Sequence, residues 1–150
     1  MSFTIRLAVE QDIDDLVEFN RAMASETEDV ALDVDILAAG VRRLLTNRTL
    51  GFYAVAESEG RVAAGLMVTT EWSDWRNGIF WWIQSVYVRP EFRRQGLYRA
   101  LYAFVKQRAT EEGGVCGFRL YVERENEAAQ ATYQALGMRE TRYRMYEELS

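Results

Sequence analysis

The chain has 150 residues, 49% of them hydrophobic, and a formal net charge of -5, which predicts a single domain over residues 1–150 and excludes general attraction to nucleic acid or to an anionic membrane surface. It contains no histidine and one cysteine, Cys116, so an internal disulfide, histidine-dependent catalysis and nearly every zinc site are excluded. Because the N-terminus also lacks the apolar stretch of a signal peptide, we expect a cytoplasmic protein without a metal site.

The first third of the chain predicts one strand followed by two helices. The strand covers Phe3–Ala8, and the first helix begins at Asp12, where apolar residues start to recur at helical spacing. Ser25–Asp33 is rich in acidic and polar residues and indicates a break between the helices. The second helix begins near Asp33, and its leucine and valine residues share one face.

Two hairpins are predicted in the middle of the chain. The segments "GFYAVAE" and "RVAAGLMVTT" favour two strands joined by a turn at Ser58–Gly60. The connection Glu71–Gly78 then leads into "IFWWIQSVYV", whose aromatic and β-branched residues favour a strand. Pro90 ends that strand, because proline lacks a backbone N–H and holds the preceding residue extended.

The remaining residues predict two helices, each followed by a strand. The first helix begins at Leu97 and stops at Gly113–Gly114, and "GFRLYV" follows as a strand. The second helix covers Asn126–Leu136 and is closed by Gly137. "RYRMYEEL" (Arg142–Leu149) alternates like a final strand, which could also pair across a homodimer.

This order, β-α-α-β-β-β-α-β-α-β, predicts an α/β (α+β) domain. The strand-helix-strand unit from Ile79 to Val122 requires two parallel strands with a crossover helix. The hairpins before it require antiparallel pairs. We therefore expect a mixed, mostly antiparallel central sheet with helices on both faces.

An arginine-rich segment lies where a predicted strand gives way to a predicted helix. The first turn of a helix has unpaired N–H groups and a partial positive charge, and Gly96 allows close approach of a bound group. Arg93, Arg94 and Arg99 would add charge around such a site, which suits a phosphate. A basic helix start lying in solvent explains the same residues equally well.

Two motifs together resemble the GNAT superfamily, the acetyl-CoA-dependent N-acyltransferases. Arg93, Gly96 and Tyr98 match the family's phosphate motif, in which Tyr98 stands where glycine or alanine is usual, so its ring must point to the helix side. A second motif follows in the expected order, at Asn126, Ala129, Tyr133, Leu136, Gly137 and Met138. The resemblance implies a GNAT-type fold and acetyl-CoA (coenzyme A) as cofactor.

The resemblance also implies where the cofactor is held. The strand before the phosphate motif offers its backbone to the pantetheine arm, a role that falls here on Val86, Tyr87 and Val88. The loop after this strand and the first turn of the next helix would bind the pyrophosphate. The loop, this helical turn and two residues of the second motif supply the other cofactor-binding residues that the resemblance implies. They are Arg93, Arg94, Gln95, Gly96, Leu97, Tyr98, Arg99, Asn126 and Tyr133.

For catalysis the resemblance implies direct attack of an amine on the thioester in a ternary complex. Tyr133 matches the usual general acid, which would stabilise the leaving thiolate. Many members carry a glutamate base near the position of Gln84, but this chain has Gln84 and Ser85. A more distant carboxylate could act through water; Glu71 is our leading candidate, with Glu26, Glu28 and Glu123 as alternatives.

Acidic and aromatic residues in two predicted loops indicate where an amine acceptor would bind. They are Glu26, Glu28, Asp29, Glu71, Trp72, Asp74 and Trp75, with Gln84 and Ser85 on the substrate strand. Carboxylates and tryptophan faces hold cations well, although a solubilising loop explains these residues equally well. We therefore predict an N-acetyltransferase for a primary amine, either a small cationic molecule or a peptide, with a non-catalytic acyl-CoA sensor as the alternative.

Overall fold

Five strands form one sheet in the computed structural model, which describes residues 2–150. Their order across the sheet follows their order in the chain. The first three pairings are antiparallel and the last is parallel, which confirms the predicted mixed sheet. The strands are β1 (Thr4–Leu7), β2 (Phe52–Ser58), β3 (Arg61–Ser73), β4 (Gly78–Val88) and β5 (Val115–Arg119).

Four α-helices accompany the sheet, none of which is long and apolar enough among the described residues to cross a membrane. The first two connect β1 to β2, the third is the crossover between the parallel strands β4 and β5, and the fourth follows β5. They are α1 (Ile13–Glu28), α2 (Val34–Thr46), α3 (Leu97–Glu112) and α4 (Glu127–Ala135), and single 3-10 turns lie at Glu10–Asp12 and Pro90–Phe92.

The helices cover both faces of the sheet, as the sequence predicted. Alternate residues of a strand point to opposite faces, and β2 uses both of them. Tyr53 and Val55 pack with α1 and α2 on one face, whereas Ala54 and Ala56 pack with α3 on the other. We call these the α1 face and the α3 face of the sheet.

Helix boundaries follow from local chemistry. The Asp33 side chain accepts bonds from the N–H groups of Asp35 and Ile36 at 3.0 and 3.1 Å and so begins α2. Asn126 begins α4 in the same way by accepting from the Ala129 N–H. α3 ends at Gly113, whose φ of 76° suits glycine. These boundaries agree with the sequence predictions.

Three predicted boundaries were wrong by several residues. α1 continues to Glu28, so the break after it starts only at Asp29, which adopts a left-handed φ of 53°. β3 continues to Ser73, so the first three residues of the predicted connection Glu71–Gly78 are strand. β5 spans Val115–Arg119 rather than the predicted Gly117–Val122, so it starts two residues earlier and ends three residues earlier. α1 and β3 thus extend beyond their sequence signals, whereas the position of β5 is set by its pairing with β4.

The predicted final strand over Arg142–Leu149 is wrong for the chain on its own. The segment alternates as a strand does, but it has no helix or strand among the described residues, and all its side chains are exposed. A strand requires a hydrogen-bonded partner, and this segment has none within its own chain.

A buried carboxylate ties β1 to the start of α1. Asp12 is 3% exposed, and its two oxygens accept from the Arg6 guanidinium at 2.8 and 3.0 Å. Asp12 also accepts from the Val9 N–H at 2.7 Å. Burial by itself would raise the pKa of Asp12, but these hydrogen bonds outweigh it and hold the pKa below its usual value.

We predict that Asp12→Asn lowers the free energy of unfolding by about 2 kcal/mol at neutral pH, because Arg6 loses a charged partner inside the protein. A carboxyl with a lowered pKa stabilises the fold above its unfolded pKa of about 3.9, and this contribution is lost as the pH falls through the lower folded value. The difference between wild type and variant should therefore shrink in acid.

Urea denaturation at several pH values measures this difference. Glu10→Gln, which removes an exposed acid from the same turn, is the matched control and should change stability little. Equal stability of Asp12→Asn and wild type at pH 7 would contradict the role assigned to Asp12.

Candidate functional site

β4 contains a bulge at Ser85. The register with β3 pairs Gln84 with Met67 and Tyr87 with Gly65, so β4 has one residue more than β3 in this interval. Ser85 adopts a φ of 53°, a left-handed conformation that serine rarely occupies. The extra residue bends the strand and increases its local twist.

The bulge lies where β4 and β5 separate. β5 pairs with β4 only over Ile79–Trp82, so the edge of β4 from Gln84 to Val88 has no strand beside it within residues 2–150. Apart from the Val88 carbonyl, which accepts from Arg93 Nε, the N–H and C=O groups at this edge can bind an extended molecule as another strand would. The predicted backbone role of Val86, Tyr87 and Val88 is therefore compatible with the structure.

The loop after β4 presents unpaired N–H groups to one spot. Arg94 and Gly96 adopt left-handed φ values of 63° and 77°, and α3 begins at Leu97. Within the described chain, no protein group accepts a hydrogen bond from the N–H groups of residues 94–99. Such a turn of free amides at a helix N-terminus is suited to bind a phosphate.

Gly96 leaves the space in front of these amides open. A Cβ built at Gly96 would meet no atom within 4 Å, and a side chain there would extend into open space. Arg94 and Arg99 are exposed and form none of the ion pairs found among the described residues. Gln95 is also exposed and donates weakly to the Glu91 carbonyl at 3.4 Å.

Arg93 does not act as the mobile rim charge that we expected. Its Nε donates to the Val88 carbonyl at 2.9 Å, and its Nη2 contacts the carboxylate of Glu26 at 3.3 Å. The guanidinium also lies 5.4 Å from the centre of the Tyr87 ring. Arg93 thus links the end of β4 to α1 rather than extending over the amides.

Tyr133 and Tyr98 bring α4 and α3 together. Their ring centres are 5.5 Å apart in an edge-to-face arrangement, and Tyr98 stacks on Tyr102 at 6.1 Å. The Tyr98 ring therefore lies on the helix side, as the resemblance required. Burial raises the pKa of Tyr133 above its ordinary value, so its hydroxyl stays protonated and can only donate a proton at neutral pH.

Gln84 is fixed on the α1 face. Its Nε2 donates to Thr69 Oγ1 at 2.6 Å across the β3–β4 pair, which leaves its carbonyl oxygen to bind a water or a polar ligand. Asn126 is similarly engaged, because its side-chain oxygen caps α4. A cofactor-binding role for Asn126 remains a prediction.

The structure argues against Glu71 as the general base. Its Oε1 accepts from Trp82 Nε1 at 2.8 Å and from Arg119 Nη1 at 2.9 Å, so it joins three strands. Glu71 pairs with Phe80, which is about 13 Å along the strand from Gln84 at the usual rise per residue. Glu71 is therefore a structural link between strands and lies away from the bulge.

The other predicted acids come together in a cleft of about 610 Å³. Glu26, Glu28 and Asp29 line one side at the end of α1, and Glu123 lines the other side beyond β5. We call this the acidic cleft. Glu26 also contacts Arg93 and, after burial, is the main cause of the raised pKa of Tyr87, so the cleft adjoins the free edge of β4.

The tip of the β3–β4 hairpin does not take part in the acidic cleft. Asp74 and Trp75 lie in the turn between the strands and do not line it. The Trp75 side chain is 85% exposed. The predicted contribution of this loop to acceptor binding has no support in the geometry.

Sequence reasoning missed the bulge and the partner of Gln84, although a signal for the bulge was present. Trp81 and Ile83 pack on the α3 face, and so do Val86 and Val88. The apolar alternation therefore shifts by one residue at Ser85, which is the pattern that an inserted residue produces. No comparable signal indicated Thr69.

The family model of the acetyltransferase (GNAT) family matches residues 13–138. The chain therefore belongs to this family. A structure described as a possible acetyltransferase from Clostridium difficile 630 is 45% identical, with 100% of this chain and 99% of that chain covered and a TM-score of 0.92. None of the curated proteins compared with the chain matches it significantly.

Two more distant structures show the same fold. A "predicted acetyltransferase" from Clostridium acetobutylicum, solved with acetyl-CoA, is 18% identical over 98% of this chain and 96% of that chain, with a TM-score of 0.81. An aminoglycoside acetyltransferase from an uncultured soil metagenomic sample, in complex with sisomicin, is 18% identical over 99% and 97%, with a TM-score of 0.77. At such identities the likeness concerns the fold alone.

We predict that Gly96→Glu weakens the binding of coenzyme A at least about tenfold, since a carboxylate near a phosphate costs ~1–4 kcal/mol. The left-handed backbone adds strain in the variant. Gly113→Glu is the control: Gly113 has a similar φ of 76° and equally open space, but it lies at the opposite end of α3, and its ψ of 163° makes a side chain there at least as strained as at Gly96.

Isothermal titration calorimetry with coenzyme A measures the affinity, and thermal unfolding of both variants measures the strain. The control should bind as wild type does. Unchanged affinity of Gly96→Glu would show that the amides of this loop do not hold the phosphates.

Proposed function

We propose that the protein is an acetyl-CoA-dependent N-acetyltransferase acting on a small cationic primary amine. The observation that carries the proposal is the pairing of two oppositely charged sites around one gap in the sheet. Free amides and arginines at the α3 N-terminus suit an anionic cofactor. The acidic cleft on the other side of the same β4 edge suits a cationic acceptor.

The residues present fit the cofactor along its length. The amides of residues 94–99 would hold its phosphates, with Arg94 and Arg99 adding charge. The free backbone of β4 from Val86 to Val88 would hold the pantetheine arm. When bound, acetyl-CoA supplies the acetyl group as a thioester. The open space at Gly96 is the structural feature that permits this approach.

Tyr133 is the residue that assists the leaving sulfur. As the new carbon–nitrogen bond forms, the carbon–sulfur bond breaks, and the hydroxyl of Tyr133 donates to the thiolate that leaves. A free phenol has a pKa near ~10 and a thiol near ~8.5, so complete proton transfer is uphill by roughly 2 kcal/mol. Burial of Tyr133 raises its pKa further, so a strong hydrogen bond describes its role.

The acceptor must lose a proton before it attacks. An alkyl amine with a pKa near ~10.4 is neutral in about one molecule in a few thousand at pH 7, which corresponds to roughly 4–5 kcal/mol. Gln84 carries no charge, and Glu71 accepts from both Trp82 and Arg119 and lies about 13 Å along the strand from Gln84. Glu26, which contacts Arg93 and neighbours Tyr87 at the edge of β4, is therefore our candidate to accept this proton through water.

The alternative is a non-catalytic module that binds acyl-CoA on the same fold. It is favoured by one observation: the amide of Gln84, where a base is expected, is tied to Thr69. Release of free thiol from acetyl-CoA in the presence of a panel of amines distinguishes the two. Turnover with any cationic amine supports the enzyme, whereas tight binding of coenzyme A without turnover supports the module.

The location and acceptor size belong to the same proposal. A cytoplasmic location is supported by the single cysteine, which can form no internal disulfide. A small molecule or the end of a peptide fits the acidic cleft, because its volume of about 610 Å³ is in the range of small-molecule sites.

We predict that Tyr133→Phe lowers kcat about 10²-fold and leaves the affinity for coenzyme A nearly unchanged, because it removes one hydroxyl and keeps the ring. The hydroxyl must be protonated to donate, so wild-type activity should fall only as the pH rises beyond about 10, and the variant should lack this alkaline decline. Wild-type turnover by the variant, measured with chemistry rate-limiting, would exclude Tyr133 as the thiolate's partner.

We predict that Glu26→Gln raises KM for a cationic amine about fivefold, corresponding to ~1 kcal/mol of lost attraction at a partly exposed site. The KM of this variant for acetyl-CoA should change little. Glu123→Gln should act in the same direction from the other side of the acidic cleft.

Glu112→Gln is the control for net charge, because it removes an exposed acid at the far end of α3. Steady-state kinetics of the three variants at one ionic strength make the comparison. If neither Glu26→Gln nor Glu123→Gln changes KM for the amine, the acceptor does not bind in the acidic cleft.

A further inference from the structure

Gln84 has a hydroxyl beside it on the neighbouring strand. Met67 lies directly opposite Gln84 in the register, and Thr69 lies two residues further along β3, opposite Trp82. Met67 packs on the α1 face, and alternate residues of a strand share a face, so these four side chains lie on the α1 face together. A methionine sulfur is only a weak acceptor and an indole N–H only a donor. Thr69 is therefore the one of these neighbours that can hold the amide of Gln84.

The hydrogen bond to Thr69 decides which way this amide points. Gln84 Nε2 donates to Thr69 Oγ1 at 2.6 Å, so the nitrogen faces β3. The carbonyl oxygen Oε1 lies on the other side of the same planar group and therefore faces away from β3. This is the side of β4 on which the pairing with β5 ends at Trp82. Oε1 is thus directed towards the free edge of β4.

The two ends of a side-chain amide would have opposite effects on an attacking amine. The oxygen of Gln84 accepts a hydrogen bond from an N–H of the amine, which leaves the nitrogen lone pair free for the thioester. An NH2 group in the same place would donate to that lone pair and repel an ammonium ion. Glutamine can present either end, so a partner must fix its orientation.

We propose that Thr69 is a positioning residue for the acceptor: it holds Gln84 with Oε1 towards the free edge of β4, where Oε1 accepts a hydrogen bond from the attacking amine. This proposal rests on the proposed function and deepens it. The bond between Gln84 and Thr69 uses the nitrogen of the amide and leaves the oxygen available. Glu26 then accepts a proton, through water, from an amine that Gln84 has already oriented.

The first test removes the oxygen of Thr69. Thr69→Val keeps the branched shape of the side chain but leaves the amide of Gln84 free to turn. The value of kcat/KM for the amine should fall about tenfold, the effect of one hydrogen bond. The affinity for coenzyme A, measured by calorimetry, should not change. Thr69→Ser keeps the oxygen and should restore most of the activity.

Thr70→Val is the matched control. Thr70 is exposed and lies opposite Trp81, which packs on the α3 face, so the same change is made one residue along β3 on the other face of the sheet. Its kcat/KM should stay within about twofold of wild type, as is usual for a surface substitution. An equal loss in Thr70→Val and Thr69→Val would reflect a general effect on β3 and overturn the proposal.

A double-mutant cycle shows whether Thr69 acts through Gln84. Gln84→Met keeps the length of the side chain but has no amide to orient. In this background Thr69→Val should change kcat/KM by less than about twofold. An undiminished tenfold loss would mean that Thr69 acts on something other than Gln84, which contradicts the positioning role.

The orientation itself is measured by NMR of isotopically labelled protein saturated with coenzyme A. The side-chain NH2 signal of Gln84 is the one that is missing from Gln84→Met. Its chemical shift should move in Thr69→Val and stay close to that of wild type in Thr69→Ser and Thr70→Val. A signal that does not respond to Thr69→Val would show that Thr69 does not hold the amide.

Binding of the amine separates this proposal from the proposed function. The probe is the amine that wild type acetylates fastest, or spermidine, a flexible cation with primary amino groups at its ends, if none is acetylated. Titrated into protein saturated with coenzyme A, it should bind to Thr69→Val with a Kd about tenfold higher than to wild type.

A Kd that stays the same while the NMR signal moves would overturn the role of Thr69 and leave the acetyltransferase proposal standing. A tenfold change in Kd without turnover by wild type would contradict the acetyltransferase and support the role of Thr69 in binding. A probe that does not bind to wild type would contradict both.

Discussion

The bulge at Ser85 is the constraint on which the rest of the candidate site depends. A regular β4 would continue to pair with β5 beyond Trp82, and no backbone edge would remain free for a ligand. A left-handed serine costs of the order of 1 kcal/mol, and regular pairing on either side of Ser85 holds it in place. The inserted residue also turns Val86 and Val88 back into the core, so packing offsets part of the local strain.

Where β4 and β5 separate, a positively charged region lies on one side of the opening and a negatively charged region lies on the other. The free amides of the α3 N-terminus lie at the end of β4, and the acidic cleft lies over the α1 face between α1 and the residues after β5. Arg93 stands between them and is bound to Glu26. This ion pair holds the charge of Arg93 towards the acidic cleft, so Arg94 and Arg99 are the arginines left beside the free amides. A chain that is acidic overall can thus have a local region of positive charge.

Most of the fold could be predicted because its signals are local. Asp33 and Asn126 begin helices by accepting backbone hydrogen bonds, and Gly113 ends one through its positive φ. The parts of the site that were missed depend on contacts between elements distant in sequence. The engagement of Glu71 with Arg119 crosses 48 positions, and that of Arg93 with Glu26 crosses 67. A sequence shows that these charges exist, but only the fold decides which of them remain free for chemistry.

The C-terminal segment is a second case in which sequence alone does not decide the structure, because here a predicted strand does not form. Alternation of apolar and charged residues over Arg142–Leu149 specifies two faces, but a strand exists only when its N–H and C=O groups find a partner. Sequence alone cannot say whether that partner is in the same chain. In the structure residues 142–149 have the alternation of a strand and β5 lies at the edge of the sheet, but the two are not paired. Alternation of apolar side chains therefore predicts which faces a segment would have in a sheet, but not whether the segment joins one.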